Sequence, residues 1–244
     1  MSRKLLHELW LGTRITLVIT IVCGIAYPLL MTGVSQLAFN GQANGSLVTD
    51  SQGTVVGSTL IGQCYYKTTK DASGNLLYQT VKDKSGNDLY FVVDPRYFQS
   101  RPLWAFTTTA NANGTTTSSL LQPVCNAASS LGSNLGPGNS ILIAHVTAYT
   151  AYLHSLGVAK NADGSNAPMP IDLVTGDFTG FDPDISEAAA LAQVNMVAGA
   201  RHLDVTKLTA LVEAHVSGRS LGVFGSPHVT VLSLNMALDA GAAS

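Results

Sequence analysis

The stretch that organises this chain is ITLVITIVCGIAYPLLMTGVSQLAF, residues Ile15 to Phe39, which holds no charged side chain. A helix needs roughly 20 apolar residues to cross the hydrocarbon core of a bilayer, so this run of 25 is long enough. A cleaved signal peptide is the alternative, but its apolar region is usually only about 7–15 residues and ends at a small-residue cleavage site. The length and the poor cleavage site around Gln36 and Phe39 favour a retained transmembrane helix over residues 15–39. Pro28 is compatible with this prediction, because bundled membrane helices tolerate proline.

Charges beside the apolar stretch predict its orientation. Residues 1–14 carry three basic side chains and one acidic one, whereas the remaining chain carries ten basic and fourteen acidic side chains. Basic residues next to a first membrane helix stay in the cytoplasm. We therefore expect a cytoplasmic N-terminus over residues 1–14 and an exported domain over residues 40–244, periplasmic in a bacterium.

Composition limits what the exported part binds and how it is stabilised. Charged residues make up only 11 % of the chain, and no run of Lys or Arg is present, which argues against nucleic-acid binding. Cys23 lies within the membrane stretch, where it acts as a small apolar side chain. Cys64 and Cys125 lie in the exported part, where they either pair as a disulfide or stay as buried free thiols.

The first half of the exported part predicts β-structure. Apolar pairs on either side of the turn at residues 50–53 predict a hairpin. Residues 71–94 contain a twelve-residue repeat, DASGNLLYQTVK and DKSGNDLYFVVD, which predicts hairpin strands in an extra β-excursion from the domain, with no chemistry of its own. The polar, low-complexity residues 107–119 predict a mobile loop.

The second half predicts mostly helices, so the fold class is α+β. Apolar periodicity predicts helices over Ile141–Leu156, capped by Asn139 or Ser140, over Ser186–Arg201, and after a cap at Asp204. Extended strands are predicted over residues 168–174 and 229–234, the second followed by a short helical turn at residues 235–238.

An acidic loop is the main candidate for ligand binding among the polar segments. Asp177, Asp182 and Asp184 fall within eight residues, and carboxylate oxygens are the ligands that Ca²⁺ prefers. The spacing lacks the EF-hand frame, however, and Asp or Ser before a helix also serves to cap it. We therefore expect a turn and a helix cap at this loop. For Arg101, we expect a salt bridge or a contact with backbone carbonyl groups.

Catalytic signatures are nearly absent from the sequence. The pattern around Ser220 (Gly-Arg-Ser-Leu-Gly) matches a nucleophile elbow, but that motif needs a strand before the serine and a helix after it, and the predicted order here is reversed. Gln193 stands on a helix face rich in alanine, where a partly buried amide requires hydrogen-bond partners. The residues alone therefore indicate an anchored, non-catalytic domain. An anchored hydrolase acting through Ser220 and an exported binding module are the competing possibilities.

Short motifs in a fixed order extend this interpretation over almost the whole chain. They are Tyr27-Pro28-Leu29, Gln42-Ala-Asn-Gly-Ser46, Gly57-Ser-x-Leu-Ile-Gly-Gln63, Tyr97-Phe98-x-x-Arg101-Pro102, Gly132-Ser-Asn-Leu-Gly-Pro137, Asp172-Leu-Val-Thr175, Asp182-Pro183 with Ile185-Ser186, Ala200-Arg201, Gly218-Arg219-x-Leu-Gly222, and Val229-x-Val-Leu-x-Leu-Asn-x-Ala-Leu-Asp239. With these motifs in this order, the chain resembles the C-subunit (KdpC) family of Kdp-type potassium-transporting P-type ATPases. Residues 65–93 and 106–128 look like insertions relative to the usual pattern of that family.

The resemblance implies a non-catalytic, single-pass subunit of the cell inner membrane. Its partners would be membrane lipid, a channel-like potassium-binding subunit and a P-type ATPase subunit that hydrolyses ATP in the cytoplasm. Members of the family are needed for assembly and activity. Their proposed roles are a catalytic chaperone that raises the ATP affinity of the pump and a role at the outer potassium entrance.

The resemblance also points to the residues of a nucleotide contact, if one exists. It implies no tightly bound cofactor, and it places any contact with ATP at Gln193 and the loop of residues 175–183. An exported domain lies on the opposite side from a cytoplasmic ATP site, so we expect the entrance or assembly role. The acidic loop would then attract cations to the entrance.

Overall fold

The computed structural model describes residues 3–74, 76–110, 116–125, 130, 132–177 and 179–243. It divides into an N-terminal unit that ends at Leu47 and a C-terminal unit that begins at Val48. The N-terminal unit contains α1 (Arg3–Ile19), a π-helical segment (Thr20–Ala26), α2 (Tyr27–Ala38) and the short α3 (Asn40–Ala43).

The first three of these segments form one continuous helix from Arg3 to Ala38. By length and composition this helix can cross a membrane, as predicted, although it begins twelve residues before the apolar stretch. Its π-helical segment ends at Ala26, two residues before Pro28. Proline has no backbone N–H and its ring clashes with the carbonyl four residues earlier, at Gly24, so a widened turn at this point is expected.

Among the described residues, ten short strands pair only in twos, and all lie in the C-terminal unit apart from the first residue of β1. The antiparallel pairs are β1 (Leu47–Thr49) with β2 (Val55–Ser58), β3 (Thr68–Lys70) with β4 (Leu76–Tyr78), β5 (Thr80–Lys82) with β6 (Asp88–Phe91), β7 (Trp104–Ala110) with β8 (Thr116–Pro123), and β9 (Asp184–Ser186) with β10 (His228–Thr230). The first pair confirms the predicted hairpin at residues 50–53. The second and third pairs confirm hairpin strands in the repeat and show that they form two hairpins.

The described part of this unit also contains five α-helices, which confirm the α+β class. They are α4 (Ser140–Ser155), α5 (Glu187–Ala192), α6 (Val194–Arg201), α7 (Val205–Ala214) and α8 (Val231–Asp239), with a 3₁₀ turn at Ile171–Leu173. The predicted caps are confirmed. The Asn139 side chain accepts from two backbone N–H groups at the start of α4, and Ser186 and Asp204 each accept from one at the start of α5 and α7.

The hydrophobic core joins the helices to the β-hairpins. On α4, Tyr149 and Leu153 are buried as the predicted apolar stripe requires. The ring of Tyr149 lies 5.3 Å from Tyr90 and 5.7 Å from Trp104, measured between centroids. Tyr90 belongs to the repeat, so a segment expected to be an excursion from the domain contributes a side chain to its core.

Two predicted irregular or extended segments differ from the structure. Residues 107–119 were predicted as a mobile loop, but the described part of this range belongs to β7 and β8. Threonine is β-branched and favours strands, and this preference outweighs the polar composition on which the loop prediction was based. Residues 168–174 were predicted as a strand but contain the 3₁₀ turn, which the Thr175 hydroxyl stabilises by donating to the Ile171 carbonyl at 2.7 Å.

Two predicted boundaries near the C-terminus were also wrong. The strand predicted over residues 229–234 ends at Thr230, and α8 begins at the next residue. Val231, Leu234 and Leu238 are all buried, which is the spacing of a helical face, and six residues were too few to distinguish this from alternation. The single helix predicted over Ser186–Arg201 is interrupted at Gln193, whose backbone N–H bonds three residues back, to Ala190.

Candidate functional site

An extended segment at residues 97–102 runs through the interior of the C-terminal unit and is held by two side-chain amides. Asn235 on α8 accepts the N–H of Phe98 and donates to its carbonyl, both at 2.9 Å. Gln193 accepts the N–H of Gln99 at 2.7 Å and donates to its carbonyl at 3.2 Å. Each amide therefore forms hydrogen bonds with both the backbone N–H and the backbone carbonyl of one residue, as a neighbouring strand would.

Gln193, the predicted nucleotide-contact residue, is 1 % exposed. Its second amide hydrogen is donated to the Ala189 carbonyl at 3.2 Å. This bond takes the acceptor that a continuous helix would offer to the Gln193 N–H, which explains the break between α5 and α6. The predicted need for hydrogen-bond partners is confirmed, whereas contact with nucleotide at this residue stays a prediction.

Arg101 connects the same segment to the acidic loop. Its Nε donates to the Asp182 carboxylate at 2.8 Å, and both side chains are about one-third exposed, so the predicted salt bridge is confirmed. Gly62 packs beside this pair: a Cβ atom at that position would lie 2.7 Å from the Asp182 carbonyl oxygen. Only glycine permits so close an approach between the two backbone segments.

The other carboxylates of the acidic loop are also engaged within the protein. Asp177 accepts backbone N–H groups of Gly180 at 2.6 Å and Asp182 at 3.1 Å. Burial alone would raise the pKa of Asp177, but hydrogen bonds from the Thr179 hydroxyl and from these N–H groups hold it below its usual value. Asp184 accepts from the Thr230 hydroxyl at 2.7 Å. These contacts confirm the interpretation of the loop as a turn.

The described residues contain no group of three or more His, Cys, Asp or Glu side chains placed to hold a metal ion. Asp182 is paired with Arg101, and Asp177 and Asp184 each accept hydrogen bonds from their own loop or from β10. Arg101 therefore balances the charge of Asp182, whereas Asp177 and Asp184 keep their negative charge, since hydrogen bonds from neutral groups do not remove it. Attraction of cations by this loop stays a prediction.

A cavity of about 620 Å³ lies beside the amide-held segment. Its lining combines aromatic rings, carboxylates and one face of α8: Asp50, Ser51, Val56, Cys64, Tyr65, Tyr66, Asp94, Tyr97, Leu232, Asn235, Met236, Asp239 and Ala240. Sequence reasoning missed it, because its residues come from five separate segments. The available signal was Asn235, a polar residue on the apolar face of a helix.

Ion pairs and neutral phenols set the electrostatics of this cavity. Asp94 pairs with Arg96 and Asp239 pairs with Arg201, each at 2.6 Å. The Arg201 guanidinium also lies 4.7 Å from the centre of the Tyr97 ring, a cation–π contact.

Burial raises the pKa of Tyr65 to about 12, although a hydrogen bond with Asn235 acts to lower it. This phenol is therefore neutral at pH 7. Burial also raises the pKa of Tyr66, so that phenol is neutral as well. The cavity suits polar and apolar contacts more than acid–base chemistry.

A disulfide ties the wall of the cavity to the end of β8. Cys64 and Cys125, which are 61 residues apart in sequence, form a disulfide bond. Of the two alternatives left open by the sequence, pairing is therefore the one found in the structure. Cys64 lines the cavity, and Gln63 beside it accepts the Ser100 hydroxyl through its carbonyl at 3.0 Å. The disulfide thus fixes the irregular segment around Cys64, which contacts the amide-held segment through Ser100.

Ser220, the residue that matched a nucleophile elbow, lies in an exposed hairpin. Its backbone exchanges hydrogen bonds with Phe224, and the hairpin connects α7 to β10. A nucleophile elbow requires a strand before the serine and a helix after it. The structure therefore confirms the reversed context and does not favour a hydrolase acting through Ser220.

Comparison with known proteins identifies a family for the whole chain. The family model described as "KdpC: K+-transporting ATPase, c chain" matches residues 9–240. A Methylobacterium nodulans protein named potassium-transporting ATPase KdpC subunit is 40 % identical over 239 residues, 98 % of each chain. Proteins with the same name from Caulobacter vibrioides and Burkholderia vietnamiensis are 39 % and 40 % identical, covering 91 % of this chain and 87 % and 91 % of theirs.

Proposed function

This chain belongs to the KdpC family of potassium-transporting ATPase subunits, and we propose that it acts as a non-catalytic accessory subunit on the outer face of the pump. In this role it assists assembly of the complex and shapes the approach of potassium to the channel-like subunit. The P-type ATPase subunit carries out the hydrolysis of ATP on the other side of the membrane.

The observation that carries this proposal is the disulfide between Cys64 and Cys125. Disulfides persist in oxidising compartments such as the periplasm and are rare in the reducing cytosol. The basic N-terminal segment independently favours a cytoplasmic N-terminus, and this supports an outside location for the residues after the helix. Two unrelated features of the chain therefore support export of the C-terminal unit.

Export bears on the choice between the two roles proposed for the family. A domain in the periplasm is separated from a cytoplasmic ATP site by the hydrocarbon core, about 30 Å thick. In addition, the amide group of Gln193 is occupied by Gln99 and Ala189 inside the core. These two arguments support a role on the potassium side rather than direct contact with nucleotide.

Thiol labelling in intact cells tests the orientation. Lys84→Cys lies in the exposed turn of the second repeat, and Lys4→Cys lies in the cytoplasmic segment, while Cys23 of the unmodified chain gives the background. A membrane-impermeant maleimide should label only the Lys84→Cys variant. Labelling of Lys4→Cys in intact cells, with Lys84→Cys protected until lysis, would overturn the proposal.

Co-purification tests the assignment as a subunit. The full chain, tagged and expressed with the channel-like and P-type subunits, should elute with them from detergent extracts. Potassium-stimulated ATP hydrolysis should depend on its presence. A chain that elutes alone, from a pump indifferent to it, would leave the exported binding module as the better account.

A further inference from the structure

Among the described residues, the hairpin between α7 and β10 brings three strongly exposed apolar side chains together at a single tip. Leu221 is 89 % exposed, Val223 is 67 % exposed and Phe224 is 64 % exposed. All residues from 217 to 227 are exposed, so no other described part of the chain covers this tip. Clustered apolar side chains that water surrounds on a folded protein commonly mark a surface of interaction.

The hairpin is held in one conformation by its backbone. At its base, Ser217 and His228 exchange hydrogen bonds of 2.8 and 3.0 Å. Near the tip, Ser220 and Phe224 exchange bonds of 2.9 and 3.0 Å. Leu221 adopts a left-handed conformation (φ +53°), which side chains other than glycine rarely take. The backbone therefore presents the apolar side chains outward in a fixed arrangement.

The charge of the hairpin differs from that of the domain around it. Residues 216–227 contain one cation, Arg219, and no Asp or Glu, whereas residues 40–244 together hold ten basic and fourteen acidic side chains. An apolar tip with a flanking cation is complementary to an anionic lipid surface, where apolar groups enter the interface and cations stay near the phosphates.

The small area of the tip and the attachment of the chain to the membrane both favour a bilayer, rather than a protein, as the surface that the tip contacts. A stable protein interface needs roughly 800 Å² from each partner, which three side chains at a hairpin tip do not supply alone. A bilayer contact needs no such area here, because the N-terminal helix already holds the chain to the membrane. Only nine residues separate Ala38, where that helix ends, from Val48, where the C-terminal unit begins.

We propose that the tip formed by Leu221, Val223 and Phe224 inserts into the head-group layer of the bilayer that holds the N-terminal helix, with Arg219 favouring anionic lipid. This contact would fix the rotation of the exported domain above the membrane. The proposal requires the helix to span the bilayer but does not depend on a role in potassium transport, so either can fail without the other.

Fluorescence quenching by lipids tests this insertion with the full chain in vesicles. Phe224→Trp, and separately Val223→Trp, place an indole at the tip, and the signal of Trp10 and Trp104 is subtracted with the unsubstituted chain. Val205→Trp is the matched control, since Val205 is 47 % exposed at the opposite end of α7. Vesicles contain phosphatidylcholine brominated on its acyl chains, with or without phosphatidylglycerol.

We expect the indole at either tip position to shift its emission to shorter wavelength and to lose intensity with brominated lipid, while the Val205→Trp indole does neither. Phosphatidylglycerol should increase the quenching, and Arg219→Gln should remove that increase. A tip indole that stays unquenched in vesicles would overturn the proposal. If it then became shielded only when the pump subunits were added, the tip would belong to a protein contact.

Discussion

Replacement of Gln193 by methionine tests the structural role of the buried amide. Gln193→Met keeps the volume of the side chain but removes its hydrogen bonds to both backbone groups of Gln99, a residue only 3 % exposed. A buried donor or acceptor left without a partner costs about 1–3 kcal/mol. With two such groups left unpaired, and part of the cost removed by relaxation of the structure, we expect a loss of about 2–4 kcal/mol in the free energy of unfolding.

The assay is a urea titration of the full chain in detergent, followed by the fluorescence of Trp104, which is 3 % exposed in the core. Gln52→Met is the surface control, since Gln52 is exposed, and its change should stay within about 0.5 kcal/mol. Asn235→Leu is the matched core variant, since it removes the equivalent pair of bonds to Phe98. A loss below about 1 kcal/mol for Gln193→Met would refute the reasoning from unsatisfied groups.

The same variants separate the structural role of Gln193 from contact with nucleotide. If Gln193 acts only within the core, Gln193→Met and Asn235→Leu should lower stability alike and leave the apparent KM of the assembled pump for ATP unchanged. If Gln193→Met retained full stability but raised the KM for ATP, whereas Asn235→Leu did not, nucleotide contact would be the better explanation.

Three further substitutions follow from particular contacts. Burial lowers the pKa of His145, although a hydrogen bond to the Leu89 carbonyl acts to raise it. The unfolded chain therefore binds the proton more readily than the folded protein, and stability is lost as the pH falls below about 6.5. His145→Phe should flatten this dependence in urea titrations at pH 5.5 and 8, and an unchanged difference between the two would contradict the assignment. Replacing Cys64 and Cys125 together by serine should lower the free energy of unfolding by about 4 kcal/mol, from the 61-residue separation and the chain-entropy model. Reduction of the unsubstituted chain should reproduce most of this loss, and equal stability with and without reductant would argue against the bond. Gly62→Ala brings a methyl group against the Asp182 carbonyl and should cost about 1–3 kcal/mol in the same titration, whereas a neutral result would mean that the two segments separate easily.

The sequence predicted those elements whose signals are local. The caps at Asn139, Ser186 and Asp204 precede helices with clear apolar periodicity, and each accepts the expected backbone N–H groups. The repeat contains a glycine at each turn, and both Gly74 and Gly86 have the positive φ that such turns require. Each of these features depends on a few neighbouring residues.

The features that were missed depend on residues far apart in the chain. The partners of Asn235 and Gln193 lie 137 and 94 residues away, and no local pattern relates them. The boundary of α8 was misplaced because Val229 to Leu234 fits both a strand and a helix, and the deciding residue, Leu238, lies beyond that window. The exposed tip at Leu221 could not be recognised, because an apolar residue in a sequence carries no sign of its exposure.

The outer role of the domain is tested most directly by the response of the pump to each of its substrates. The full chain would be titrated into pump subunits purified without it, and ATP hydrolysis recorded against potassium at saturating ATP and against ATP at saturating potassium. A subunit acting on the potassium side should raise activity and lower the apparent KM for potassium, with the KM for ATP unchanged. A fall in the KM for ATP alone, with the potassium dependence unchanged, would contradict the account.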